Sequence, residues 1–233
     1  MQEEVRKVTR VMIKEFPFDL PDTPYSLWVS GELNDHLPLP EDFRAEIVNG
    51  EITVSPAPVV GHNRIVYAIH FAFTEARVLN RQYPWIVDTG SGTDLVGVGD
   101  GYIPDLIVLD SQICAEAEAA QVALWVADQV ELAVEVTSKS NAAQDRKARP
   151  GGRQTKWSGY ARAEVPYYLL VDRDPKVART TLYSVPDAAT GAYLQEEVWE
   201  FGKPVVLPEH FGVTIPTDNW RPWGAGSDRA DGR

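Results

Sequence analysis

The sequence predicts an α/β protein with a central mixed β-sheet flanked by helices, on three observations. A sharp hairpin signal lies between Phe43 and Ser55, a long amphipathic helix follows it, and apolar strand-length segments then recur from Trp85 to Phe201 around further helical stretches. In the hairpin, Arg44-Ala45-Glu46-Ile47-Val48 and Glu51-Ile52-Thr53-Val54-Ser55 flank Asn49-Gly50, a pair that accepts positive φ at both turn positions. From Val59 to Arg81, Ile65, Ile69, Ala72, Ala76 and Leu79 return every three or four residues, which predicts a helix covering one face of the sheet. Trp85 to Thr89 and Thr93 to Val98, separated by Gly90-Ser91-Gly92, read as a second hairpin. Tyr102 to Leu109 is an apolar run broken by Pro104-Asp105, and the Ala/Glu-rich stretch from Ser111 to Asp128 predicts a short helix.

Val130 to Thr137 predicts a strand. Pro150-Gly151-Gly152 stops any helix from running through the next segment, whereas Thr155 to Arg162 can resume one. Val165 to Val171, Ala178 to Val185 and Tyr193 to Phe201 complete the strand set, the first of them carrying Tyr167-Tyr168 as packing residues rather than stacking platforms. Residues 1–42, rich in Pro and Asp, read as an arm with only short regular structure; residues 43–216 form the main domain; residues 217–233 have little to bury and are expected to fray.

Composition bounds the function. A hydrophobic content of 44% in 233 residues is enough for a full core. The only cysteine is Cys114, which excludes an internal disulfide and a cysteine-built zinc site and points to the cytoplasm. No apolar run suits a signal peptide or a membrane span, so no membrane partner is expected. The balance of 22 basic against 34 acidic residues, a net charge of −12, is unfavourable for wrapping nucleic acid. A bound cation or a local basic stripe offsets that, and Arg146 to Lys156 is the candidate stripe, with a solvated loop as the plainer alternative.

Two carboxylates stand out chemically. Asp105 interrupts an apolar run, where an uncompensated charge costs several kcal/mol and therefore calls for a partner or an ion. In Val130 to Thr137, Leu132, Val134 and Val136 share one face, while Glu131, Ala133, Glu135 and Thr137 share the other. If the two strands are neighbours, Asp105 and Glu135 converge, and hard oxygen ligands of that type suit magnesium or manganese. Pairing of Asp105 with an arginine, and a solvent-facing Glu135, is the alternative. The histidines show no metal-ligand spacing.

Pro104-Asp105, an intervening segment and Glu135-Val136-Thr137 resemble the Pro-Asp…(Asp/Glu)-x-Lys signature of the restriction-endonuclease-like superfamily. More closely, the run Glu46-Ile47-Val48-Asn49-Gly50-Glu51, Ser55-Pro56-Ala57-Pro58, His62 and Pro104-Asp105-Leu106-Ile107-Val108 resembles the bacterial Uma-two family of endonucleases. Glu135-Val136-Thr137-Ser138, Asp145-Arg146, Lys156 with Tyr160, and Val165-Pro166-Tyr167-Tyr168-Leu169-Leu170-Val171-Asp172 continue the likeness, which spans Phe43 to Pro216.

The resemblance implies a restriction-endonuclease-like core and metal-dependent hydrolysis of phosphodiester bonds in nucleic acid, DNA first, and it admits a homodimer. It implies Asp105, Glu135 and the Val136 carbonyl as holders of Mg2+ or Mn2+, with Asp105, Glu135 and Lys156 as catalytic residues. Thr137 stands where the superfamily has its lysine, so Lys156 is the matching position, with Lys139 and Lys147 as rivals and a surface lysine as the alternative for each. Replacing an exposed or cleft lysine there is expected to leave the fold nearly intact. Glu46, His62, Asp145 and Tyr160 are accessory candidates; a capping or packing role competes for His62, and a plain hairpin surface role for Glu46. A catalytically silent interaction module, or a phosphodiesterase for a smaller substrate, are the competing functions.

Overall fold

The Asn49-Gly50 turn forms as its composition requires, with φ of 55° and 69°, a left-handed pair that suits the twist of the strands it joins. The computed structural model describes residues 11–13, 20–37, 43–149 and 151–224. In chain order these give β1 (Val11–Ile13), α1 (Pro24–Val29), β2 (Arg44–Val48), β3 (Glu51–Ser55), α2 (Val60–Leu79), β4 (Trp85–Asp88), β5 (Thr93–Leu95) and β6 (Asp100–Tyr102). There follow β7 (Leu106–Asp110), α3 (Ser111–Ala120), β8 (Trp125–Val126), β9 (Val130–Val136), α4 (Ala142–Asp145), α5 (Lys156–Arg162) and β10 (Tyr167–Asp172). The chain continues through β11 (Arg179–Asp187), β12 (Ala192–Glu200), β13 (Val205–Val206) and β14 (Thr214–Ile215).

The strands make two six-stranded sheets rather than one, ordered β1-β3-β2-β6-β5-β8 and β12-β11-β10-β9-β7-β4, with β13 and β14 paired separately. The second sheet is mixed: β9 and β10 run parallel, with Glu135 opposite Leu170, and its other neighbours are antiparallel. The expected hairpin over Trp85 to Val98 does not form. β4 pairs with β7 in one sheet and β5 with β6 in the other. The chain does turn sharply at Gly90, with φ of 87°, but burial decides the pairing. Trp85 and Val87 pack on the core beneath α2, whereas Leu95 faces the core between the sheets. A second crossing, at Ile103-Pro104-Asp105, carries the chain back from β6 to β7. Asp105 therefore sits in the crossover just before β7, not within a strand.

Alternation along β9 and β10 sends side chains into two different cores. Leu132, Val134, Val136, Leu169 and Val171 meet Ile65, Ile69 and Phe73 of α2. On the opposite face, Ala133, Tyr168 and Leu170 meet Trp157, Tyr160 and Ala161 of α5, together with Leu95 and Tyr102 of the first sheet. Each such buried side chain contributes roughly 1.5–3 kcal/mol, so α5 is wedged between the sheets by apolar contact over most of its length.

Within residues 1–42, α1 is bonded into the first sheet: Trp28 donates its indole N–H to the Ala45 carbonyl at 2.9 Å. The expected fraying does not begin at Trp220, which is buried in the α2-side core against Phe201; an indole supplies enough apolar area to hold that segment down. Residues 225–233 lie outside the described part. Among the described residues no helix is long and apolar enough to cross a membrane.

Candidate active site

Strand parity and helix spacing together build the centre of a cleft of about 630 Å³. Along β2, Ala45 and Ile47 enter the core under α1, which turns Glu46 to the face shared with α5. Along β9, the same alternation points Glu135 at α5, where it is 2% exposed instead of facing solvent. The Ser158 hydroxyl accepts a hydrogen bond from the Thr155 N–H at 2.8 Å, and α5 starts at the next residue. Lys156 and Tyr160 then lie one turn apart on one helix face, and both donate to Glu135 Oε1, at 3.0 and 3.1 Å. Lys156 Nζ also lies 2.6 Å from Glu46 Oε1, and that oxygen accepts from the Ile103 N–H at 2.7 Å.

Burial pushes Glu135 well above the usual carboxylate range; Lys156 opposes this, while Asp105, Asp145 and Glu46 add to the push. Burial works against a charged Lys156, but Glu135, Glu46 and Asp145 outweigh it and hold the ammonium above the ordinary lysine range. One buried ammonium thus faces two carboxyl groups, those of Glu46 and Glu135. Tyr160 is likewise held well above the ordinary phenol range, by burial first and Glu135 second, so it serves as a donor.

Asp105 Oδ2 takes two hydrogen bonds, from the Val136 N–H at 2.8 Å and with His62 Nε2 at 2.9 Å. A strand residue's N–H and C=O leave by the same edge, so the Val136 carbonyl faces the Asp105 side too. Among the described residues no protein group is bonded to Asp105 Oδ1 or Glu135 Oε2, and both side chains line the cleft. His62, at the third position of α2, is buried; burial lowers its pKa, but the hydrogen bond and charge of Asp105 more than reverse this and leave it raised. Its competing reading as a mere packing residue is thereby replaced by a pairing with Asp105. Among the described residues no group of three or more His, Cys, Asp and Glu side chains is arranged to hold a metal.

The other sequence candidates are placed differently. Lys139 is exposed on the cleft rim. Lys147 is away from the cleft, 3.3 Å from Glu196 and over the Trp157 ring. Asp145 is buried at the end of α4, outside the cleft lining, and acts on Lys156 and Glu135 through its charge. The interruption before Lys156 therefore does not separate it from Asp145 electrostatically. Thr137 is buried and receives the Arg173 N–H at 2.9 Å.

Arg146 to Lys156 is not a basic stripe. Arg146 pairs with Asp172 and Asp174, Lys147 with Glu196, Arg153 with Glu51, and Lys156 with Glu46 and Glu135. All of its cations but the exposed Arg149 are matched by acids on other elements, which charge counting along the chain does not see. The cleft's basic side chains beyond Lys156 and Lys139 are instead Arg44, Arg173 and Arg221, from three separated segments. No local motif distinguishes them.

The sequence model of the Uma2 family, described as "Putative restriction endonuclease", matches residues 32–218. Among solved structures, the chain is similar to one from Anabaena variabilis ATCC 29413, titled as "a putative nuclease belonging to DUF820". The two share 18% identity with a TM-score of 0.55, over 80% of this chain and 94% of that one; at that identity the likeness speaks for the fold. No curated protein is found similar to the chain.

Proposed function

The chain belongs to the Uma2 family, and from that premise we propose that it is a metal-dependent endonuclease that hydrolyses phosphodiester bonds of nucleic acid, DNA first. The observation that carries this reading is the gathering of three carboxyl groups, Glu46, Asp105 and Glu135, beside a single ammonium, with one oxygen of Asp105 and one of Glu135 left for a further cation. Those two carboxylates and the Val136 carbonyl fit a hard divalent ion such as Mg2+ or Mn2+ in donor type. Such an ion, when bound, supplies Lewis acidity and a bound water of lowered pKa.

The chain's own groups have separable tasks in this reading. His62 and the Val136 N–H hold Asp105 by its inner oxygen, which fixes the direction of the outer one. Tyr160 and Lys156 do the same for Glu135. An ammonium has three donors. Two of those on Lys156 are directed to Glu46 and Glu135, which leaves a third for the attacking water or a phosphoryl oxygen.

Purified protein is expected to cut DNA in Mn2+ or Mg2+ at low salt and not in EDTA, and Asp105→Asn and Glu135→Gln to abolish both cleavage and the rise in melting temperature caused by the metal. Metal binding without cleavage of any DNA or RNA would favour a silent module or a smaller substrate. An unchanged metal response in both variants would overturn the shared site.

A further inference from the structure

Arg173 has no role in the reading above, yet it is 5% exposed and lines the same cleft. Among the described residues no carboxylate pairs with it. Among the described residues its guanidinium makes one protein hydrogen bond, from Nε to the Arg221 carbonyl at 3.3 Å, and the Trp223 N–H closes on the Arg173 carbonyl at 3.0 Å. The side chain is thus clamped by residues 221–223 with its terminal nitrogens uncommitted. An enclosed cation without a counter-charge is disfavoured in the folded protein. Burial accordingly lowers its pKa, with no acid to oppose the effect.

Those nitrogens point at the start of α2. A Cβ built on Gly61 would lie 2.9 Å from Arg173 Nη2. This end of the 20-residue helix has no side-chain cap, since Val59 is its N-cap, and the N–H groups of Val60 and Gly61 have no acceptor among the described residues. Unsatisfied N–H groups, the positive end of the helix dipole and an unpaired guanidinium all favour an oxyanion. The next residue, His62, holds Asp105.

We propose that the first turn of α2 and Arg173 form an oxyanion site for a phosphate group, beside the Asp105–Glu135 pair in the cleft. Its carrier is the backbone of a nucleic-acid strand; that assignment rests on the nuclease reading, whereas the oxyanion site itself does not. The absence of a side chain at Gly61 is what lets the guanidinium and the amides reach one ligand.

The test uses the full chain in EDTA, with inorganic phosphate and a ten-nucleotide single strand as separate probes. Phosphate should shift the Gly61 amide resonance saturably in wild type and not in Arg173→Gln. The same substitution should weaken the oligonucleotide roughly tenfold or more and lower the slope of log affinity against log salt by about one. Gly61→Ala should act alike, because the new Cβ displaces the guanidinium, and it keeps the helix intact, alanine being the better helix former. A matching melting temperature in Gly61→Ala separates loss of the site from loss of the fold. Phosphate binding with unchanged oligonucleotide affinity in both variants would confirm the oxyanion site and overturn the strand as its carrier. No response of Gly61 to phosphate, with both variants binding the strand as wild type does, would overturn the proposal.

Discussion

Replacing Lys156 with alanine takes away the ammonium lying 2.6 Å from Glu46 and 3.0 Å from Glu135 in a site where the lysine is 3% exposed. The sequence-based expectation of a nearly intact fold is therefore corrected: this lysine is buried and paired, not exposed. Removing one partner of a buried ion pair costs about 3–5 kcal/mol, which for a chain of this size lowers the melting temperature by roughly 6–20 °C. The loss should depend on pH with a definite sign. Glu135 has a folded pKa raised above its unfolded value, so the folded state binds the extra proton and stability falls as pH climbs from the ordinary glutamate range through the raised value. Without Lys156 pulling that pKa down, the fall extends to higher pH. The deficit against wild type should be small at acid pH and grow as pH rises above the ordinary glutamate range, and Mg2+ or Mn2+ should recover part of it. Thermal denaturation from acid to neutral pH, with and without metal, measures this; Lys139→Ala, on an exposed side chain, should stay within about 0.5 kcal/mol of wild type. A Lys156→Ala protein within about 1 kcal/mol of wild type at neutral pH, with the same pH dependence, would refute the reasoning.

Three further expectations follow from the same geometry. The His62 imidazole should titrate above the ordinary 6.5, so the stability it contributes through Asp105 is full below the unfolded value and fades as pH rises through the raised one; Asp105→Asn leaves burial unopposed by that charge and should drop the midpoint, and an NMR titration unmoved by the substitution would count against the pairing. Gly159→Ala would place a Cβ on the Tyr102 hydroxyl, an overpacking that should cost about 1–3 kcal/mol and loosen α5; an unaltered melting curve would show that the wedge between the sheets is softer than described. Lys156→Ala should lower turnover by about two to three orders of magnitude while Lys147→Ala, paired with Glu196 outside the cleft, leaves it nearly unchanged, and the reverse order in a cleavage assay would move the catalytic cation elsewhere.

Local chemistry was readable along the chain, and distant pairing was not. Asn49-Gly50 set its turn by backbone preference alone, and the parity of β9 put Leu132, Val134 and Val136 on one side and Glu135 on the other. The spacing of Lys156 and Tyr160 brought both onto Glu135 for the same reason: helix period is a local property. By contrast, Gly90-Ser91-Gly92 announces a turn but not which strand the chain meets after it, so one sheet was expected where two exist. The contact between His62 and Asp105 spans 43 residues. In the apparent basic run from Arg146, Arg146, Lys147 and Arg153 are neutralised by Asp172, Asp174, Glu196 and Glu51, all on other segments. Arg173, between Asp172 and Asp174, looks like part of a solvated turn; its burial depends on residues 221–223 folding back over it. Trp220 lies in the core although its Gly- and Asp-rich neighbours suggest a loose end, because its own indole has the area to be buried.

The most direct test of the shared metal site is an anomalous difference map from a crystal of the protein soaked in Mn2+. One peak is expected, held by the Asp105 and Glu135 carboxylates with the Val136 carbonyl as a third protein oxygen, and Lys156 should still lie beside Glu46. A peak held by other side chains, or none at saturating metal while Lys156 keeps its place between Glu46 and Glu135, would contradict it.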